Sequence, residues 1–169
     1  MRSISLAMCA FALVTAPLAT SAQTIERFKP PVPGPAPILQ SAKIPGGSEI
    51  LYLSGQLASP IDPKTPPSPT VTLDQMGDTK TQTVSVLAKI RSALEARGYK
   101  MSDVIKLTVF VVADPRSGRA DFQGMNEGFR QYFGTTENPE TVVRSAVQVS
   151  GLATPAFLVE IEATAAKPR

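Results

Sequence analysis

Two proline-rich stretches decide where regular structure can form. The first is QTIERFKPPVPGPAPILQSAKIPGGS, residues 23–48, and the second is SPIDPKTPPSPTVT, residues 59–72. Proline locks φ and removes a backbone donor, so neither stretch can be a helix interior or a central strand. The expectation is an extended, partly mobile leader over 23–48 and a long loop over 59–72.

Regular elements are then placed by periodicity. EILYLSGQLA, Glu49 to Ala58, reads as a strand with a glycine near its end. In DQMGDTKTQTVSVLAKIRSALEARG, Val84, Leu87, Ile90 and Leu94 recur at helical spacing, with Asp74 or Asp78 as the cap and Gly98 as the stop. DVIKLTVFVV, Asp103 to Val112, is β-branched and reads as a buried strand. A second helix is expected from about Arg119 to Phe133, with Phe122, Met125, Phe129 and Tyr132/Phe133 on its apolar stripe and Gly124 and Gly128 weakening it. TVVRSAVQV and AFLVEIEATAA are two further strands. The order β, α, β, α, β, β, with a possible extra strand early, predicts an α+β fold: a mixed sheet with two helices packed on one face.

The first 22 residues, MRSISLAMCAFALVTAPLATSA, are set apart. A basic Arg2, an apolar run and small residues up to Ala22 make the pattern of a secretory signal peptide cleaved after Ala22. The run is too short, and too broken by Pro17, to anchor the chain in a membrane. The expected organisation is a signal peptide over 1–22, the leader over 23–48 and one domain over 49–169, in an exported, periplasmic or secreted protein.

That cleavage has chemical consequences. Cys9 is the only cysteine and leaves with the signal, and the chain contains no histidine. Cys/His zinc sites and a serine–histidine relay are excluded. Any catalysis must use carboxylates, Lys, Arg, Tyr, Ser/Thr or backbone groups. Without Arg2 the basic residues fall from 17 to 16 against 14 acids, a net of about +2, and they are scattered. That argues against nucleic acid as a partner.

Strand alternation sorts the polar residues. Val159, Ile161 and Ala163 oppose Glu160 and Glu162; Ile105, Leu107, Val109 and Val111 oppose Lys106 and Thr108; Val143, Ser145, Val147 and Val149 oppose Arg144, Ala146 and Gln148. With the apolar rows turned to the helices, Arg144, Glu160, Glu162, Lys106, Thr108 and Gln148 share the helix-free face. Val104, Phe110, Val112, Ala146 and Leu158 are expected there too. Such a mosaic suits a homo-oligomer that covers this face. Arg144 is then either half of an ion pair with Glu160 or Glu162 that fixes the subunit interface, or a free cation for an anionic ligand.

LYLSGQL, VIKLTVFV, FQGMNEGFRQYF, VVRSAVQV and VEIEATA, in that order and spacing, resemble the RidA (YjgF-like) reactive-intermediate deaminases from about Pro37 to Ala166. The resemblance implies a chorismate-mutase-like α+β subunit, a homotrimer with a cleft at each subunit interface, and hydrolysis of enamines and 2-imino acids to 2-keto acids and ammonia without a cofactor or metal. It implies that Arg144 grips the substrate carboxylate and that Glu160 orients or activates water. It places Ser54, Gly55, Asn126 and Phe129 at the cleft. Two positions depart from the pattern: Ile38, where the deaminases usually have Tyr, and Ala146, where they usually have Cys. The chemistry is self-consistent, because a C=N carbon is electrophilic and a positioned carboxylate can direct water at it. Two alternatives use the same fold: an exported binding protein that holds a small carboxylate or a protein partner at the cleft without turnover, and RNA cleavage, which the low net charge disfavours.

Overall fold

The computed structural model describes residues 23–169 apart from Pro35 and Pro67. The signal-peptide reading, with Cys9, lies outside the described residues. The elements run β1 (Glu26–Phe28), β2 (Ser41–Lys43), β3 (Glu49–Leu57), α1 (Leu73–Met76), α2 (Thr79–Glu95), β4 (Val104–Asp114), β5 (Arg119–Ala120), α3 (Phe122–Phe129), β6 (Val143–Val149) and β7 (Val159–Lys167), with a 3-10 turn over Met101–Asp103. This is the α+β fold expected, a mixed sheet in the order β3-β7-β4, with β6 and the short β5 on the far edge of β4. Only the β4–β6 pairing is parallel in that sheet; its β3–β7, β4–β7 and β4–β5 pairings are antiparallel.

Helix α2 forms where its apolar stripe requires it. Leu87, Ile90 and Leu94 of that stripe are fully buried against the sheet together with Val86, while Val84 is only half-buried. Asp78, rather than Asp74, caps it: its carboxylate accepts from the Thr81 amide at 2.8 Å. Gly98 ends it at φ +72°, a left-handed conformation that favours glycine. Helix α3 starts later and stops earlier than its stripe predicts. Arg119 and Ala120 instead pair with Asp114 and Ala113, because Asp114 gathers Arg116 into a tight turn that folds β5 back on β4. Asp121 then caps α3 through the Gly124 amide at 2.8 Å. Gly128 has a packing reason. A methyl there would meet the Thr83 side chain at 2.8 Å, so the glycine lets α3 lie close on α2.

The leader is more ordered than expected of a surface tail. β1 and β2 pair antiparallel on either side of the proline run. Arg27 donates to the Ser102 carbonyl at 2.8 Å and pairs with Glu140 at 3.3 Å. Leu39 is buried, donates to the Val142 carbonyl at 2.9 Å and forms a parallel bridge with Val143. Thr141 donates to the Pro37 carbonyl at 2.7 Å. The leader is therefore pinned to the residues that lead into β6.

The registers correct the face assignments. Arg144, Ala146 and Gln148 stand opposite Leu107, Val109 and Val111, the row that faces the helices. Glu160 and Glu162 stand opposite Phe110 and Thr108, on the uncovered face. Arg144 and Glu160 are thus on opposite faces, not together. The error came from giving β6's valines to the helices. β6 is an edge strand, and Val147 stays 45% exposed on the open face. Val104 also moves. A register shift between Val104 and Lys106 leaves Val104 opposite Ala165, fully buried. Leu158 likewise sits in the core rather than on the open face.

The Asp78 cap generates a pH prediction. Its hydrogen bond from Thr81 holds the carboxyl below the ordinary value. A group depressed in the folded state stabilises above its unfolded pKa, and that contribution is lost as pH falls through the folded value. Asp78→Ala should cost about 1 kcal/mol in urea unfolding at pH 7. The difference from wild type should shrink towards zero as pH falls through the lowered folded-state value.

Candidate functional site

The side chains singled out in the sequence form two groups. The first surrounds Arg144 beneath α3. The guanidinium donates through Nη2 to Asn126 Oδ1 at 2.7 Å and reaches Met125 Sδ through Nη1 at 3.7 Å. It stacks over the Phe129 ring, 4.5 Å from the centroid. Three residues of one short helix therefore hold one cation. Among the described residues no carboxylate forms a salt bridge with it. Burial, and then the neighbouring Arg130, push its pKa below the ordinary guanidinium value. It nonetheless stays charged, since arginine does not deprotonate in proteins. Ala146 follows two residues on along the same side of β6. Ile38 adjoins Leu39, whose bridge to Val143 brings the leader beside Arg144.

The second group surrounds Glu160 on the uncovered face. β3 and β7 lose register between Leu53 and Gln56, so Ser54 and Gly55 form a bulge opposite the single residue Glu162. The Glu160 side chain folds over Gly55. A methyl on Gly55 would overlap the carboxylate, with Cδ at 2.8 Å and Cγ at 3.0 Å. The SGQ segment thus has a physical reason for its glycine, which is a close approach rather than a special φ. Ser54 is exposed at the lip of the bulge. Glu160 and Glu162 have no salt-bridge partner among the described residues.

Within one chain Arg144 therefore makes no ion pair with Glu160 or Glu162. Its supposed partners stand two strands away and on the opposite face. Two strand spacings and a three-residue offset separate the Cα atoms of Arg144 and Glu160 by roughly 14 Å. A single chain cannot present both side chains to one small molecule.

Sequence reasoning missed Met125 and Arg130 as neighbours of the guanidinium. Met125 was visible only as part of the apolar stripe. Its contact with Arg144 follows from the phase of β6, which alternation alone did not give. Among the described residues no cluster of three or more Cys, His, Asp or Glu could hold a metal, and no helix is long and apolar enough to cross a membrane.

A mixed sheet covered by helices on one side, a glycine bulge under a carboxylate and an unpaired edge-strand arginine define an α+β subunit of the YjgF/Rid kind. Residues 41–167 match the family described as endoribonuclease L-PSP, and the chain belongs to that family, also known as YjgF/RidA. A RutC family protein of Pyrococcus horikoshii is 39% identical over 133 residues, covering 79% of this chain and 91% of that protein. The 2-iminobutanoate/2-iminopropanoate deaminase of Escherichia coli K12 is 31% identical over 118 residues, covering 70% and 80%. Among solved structures, YyfB of Yersinia pestis, from the conserved Rid protein family, is similar with a TM-score of 0.63 at 23% identity, over 86% of this chain and 100% of that one. Escherichia coli TdcF with bound serine is similar with a TM-score of 0.53 at 30% identity, over 86% and 97%.

The Gly55 geometry predicts a separable effect. Gly55→Ala should move the Glu160 carboxylate off the bulge while changing thermal stability by no more than a few degrees, because the overlapping atoms end a flexible side chain. A crystal structure and melting curve of the variant check this. An unchanged Glu160 rotamer would contradict it.

Proposed function

We propose that this protein hydrolyses small 2-imino acids and their enamine tautomers to 2-keto acids and ammonia, in a homotrimer whose clefts lie between subunits. The observation that carries the reading is the Arg144 guanidinium: half-buried, aimed by Asn126 and Phe129, and without a carboxylate of its own. A planar cation held in that way is suited to two-point recognition of a carboxylate. Its relative in Escherichia coli is named for deamination of such imino acids, and TdcF has been solved with serine, a small carboxylate, bound.

In this reading Arg144 of one subunit grips the substrate carboxylate, and Glu160 of a neighbour, set by the Gly55 bulge, directs water at the C=N carbon. Adding water gives a carbinolamine. Proton transfer to nitrogen and loss of ammonia then leave the 2-keto acid, so no oxidant or cofactor is consumed. Ser54 and Gly55 form the wall beside Glu160; Asn126, Phe129, Ala146 and Ile38 form the wall beside Arg144. The two-faced arrangement supports a subunit-spanning site. So does the open face itself, where Tyr52 is 77% and Val147 45% exposed. The reading includes export: amino-terminal sequencing of protein from its native host should begin at Gln23.

One observation favours a second reading, binding without turnover. Ile38 and Ala146 replace two polar groups that the deaminases usually carry, which leaves a more apolar pocket. The assay that separates the two measures ammonia release from freshly generated 2-iminopropanoate. Wild type should accelerate it, and Arg144→Ala should lower kcat/KM by about a hundredfold or more with the oligomer intact. Thermal stabilisation by pyruvate with no acceleration would replace the deaminase reading with the binding one.

A further inference from the structure

A separate cavity of about 480 Å³ lies between the proline-rich loop, the end of β3, α1 and α2. Its volume falls within the roughly 300–1,000 Å³ typical of small-molecule sites. Leu57, Ala58, Val71, Met76 and Phe157 make its apolar walls. Pro60 and Pro69 complete the loop side, and neither can offer a backbone N–H to a ligand.

The polar groups in this lining are few, and one of them is a lysine ammonium with donors to spare. Ser59 and Ser68 are engaged locally, Ser59 through its amide with Ser85 at 2.9 Å and Ser68 with Thr70 at 2.8 Å. Lys89 Nζ donates once, to the Leu57 carbonyl at 2.8 Å, and no carboxylate pairs with it among the described residues. An ammonium has three donors, so two remain.

From this juxtaposition we infer that the cavity is a second binding site, for an apolar molecule that ends in a single carboxylate. The carboxylate pairs with Lys89, and the tail lies against Leu57, Val71, Met76 and Phe157. A neutral apolar ligand would leave the Lys89 ammonium unused. A second charge on the ligand would be buried among those walls without a partner. The site does not depend on the deaminase reading, because it contains neither Arg144 nor Glu160.

Octanoate is the probe, with 1-octanol as the neutral control, and calorimetric titration of the purified protein is the measurement. Octanoate should bind with a Kd of about 1 mM or tighter. Lys89→Gln, at an exposed helix position, should weaken it by roughly tenfold while leaving 1-octanol unchanged. Val71→Trp, which fills the cavity, should abolish both. Arg144→Ala should bind octanoate as wild type does, and Lys89→Gln should keep wild-type deamination. No octanoate binding, or binding unaffected by Lys89→Gln, would overturn the inference. Loss of octanoate in Arg144→Ala would also overturn it, by placing the probe in the other site.

Discussion

An arginine taken half out of water needs compensation, and much of this subunit can be read as the means of giving it to Arg144. Three groups of α3 receive the guanidinium: an amide oxygen, a thioether and the face of an aromatic ring. None of them neutralises its charge. The helix can hold this position because Gly128 lets it close on α2 and Asp121 caps its start. β6 is fixed on one side by its parallel pairing to β4 and at its beginning by the leader, through Leu39, Thr141 and the Arg27–Glu140 pair. A cation positioned in this way, with its charge still available, is pre-organised for an anion that arrives from outside.

The second constraint is the two-residue period of a strand. It separates Arg144 from Glu160 by the thickness of the sheet as well as by two strands. The open face that carries Glu160 also presents Tyr52, Phe110 and Val147. A site that uses both charged groups must be assembled from two subunits, and the same apolar residues are suited to holding those subunits together. The bulge at Ser54–Gly55 sets the Glu160 carboxylate close to the backbone, so its position is shaped within the single chain.

Much of the fold was legible because it rests on strong periodic signals. The stripe of α2, the Asp78 cap, the Gly98 stop and the β-branched run of β4 each had a local cause. What stayed illegible had non-local causes. The phase of β6 depends on its parallel register with β4, and its valines misled because an edge strand can leave valine uncovered. Val104 changed sides through a register shift that leaves no mark in alternation. β5 exists because Asp114 binds Arg116, an interaction that interrupts a good helical stripe. The candidate site residues came from the resemblance, and the SGQ segment acquired a mechanical meaning only when Glu160 was seen folded over Gly55. Arg144 was singled out correctly as an unusual charge, but its surroundings required the helix above it.

The central claim is that one functional site draws Arg144 and Glu160 from different subunits. Subunit mixing tests it directly. Arg144→Ala and Glu160→Gln chains, each inactive alone, are unfolded together in equal amounts, refolded and assayed for ammonia release from 2-iminopropanoate. Random assembly should place an intact Arg144 opposite an intact Glu160 in about a quarter of the clefts, restoring about a quarter of wild-type activity. Mixed oligomers that stay as inactive as either parent would contradict the account.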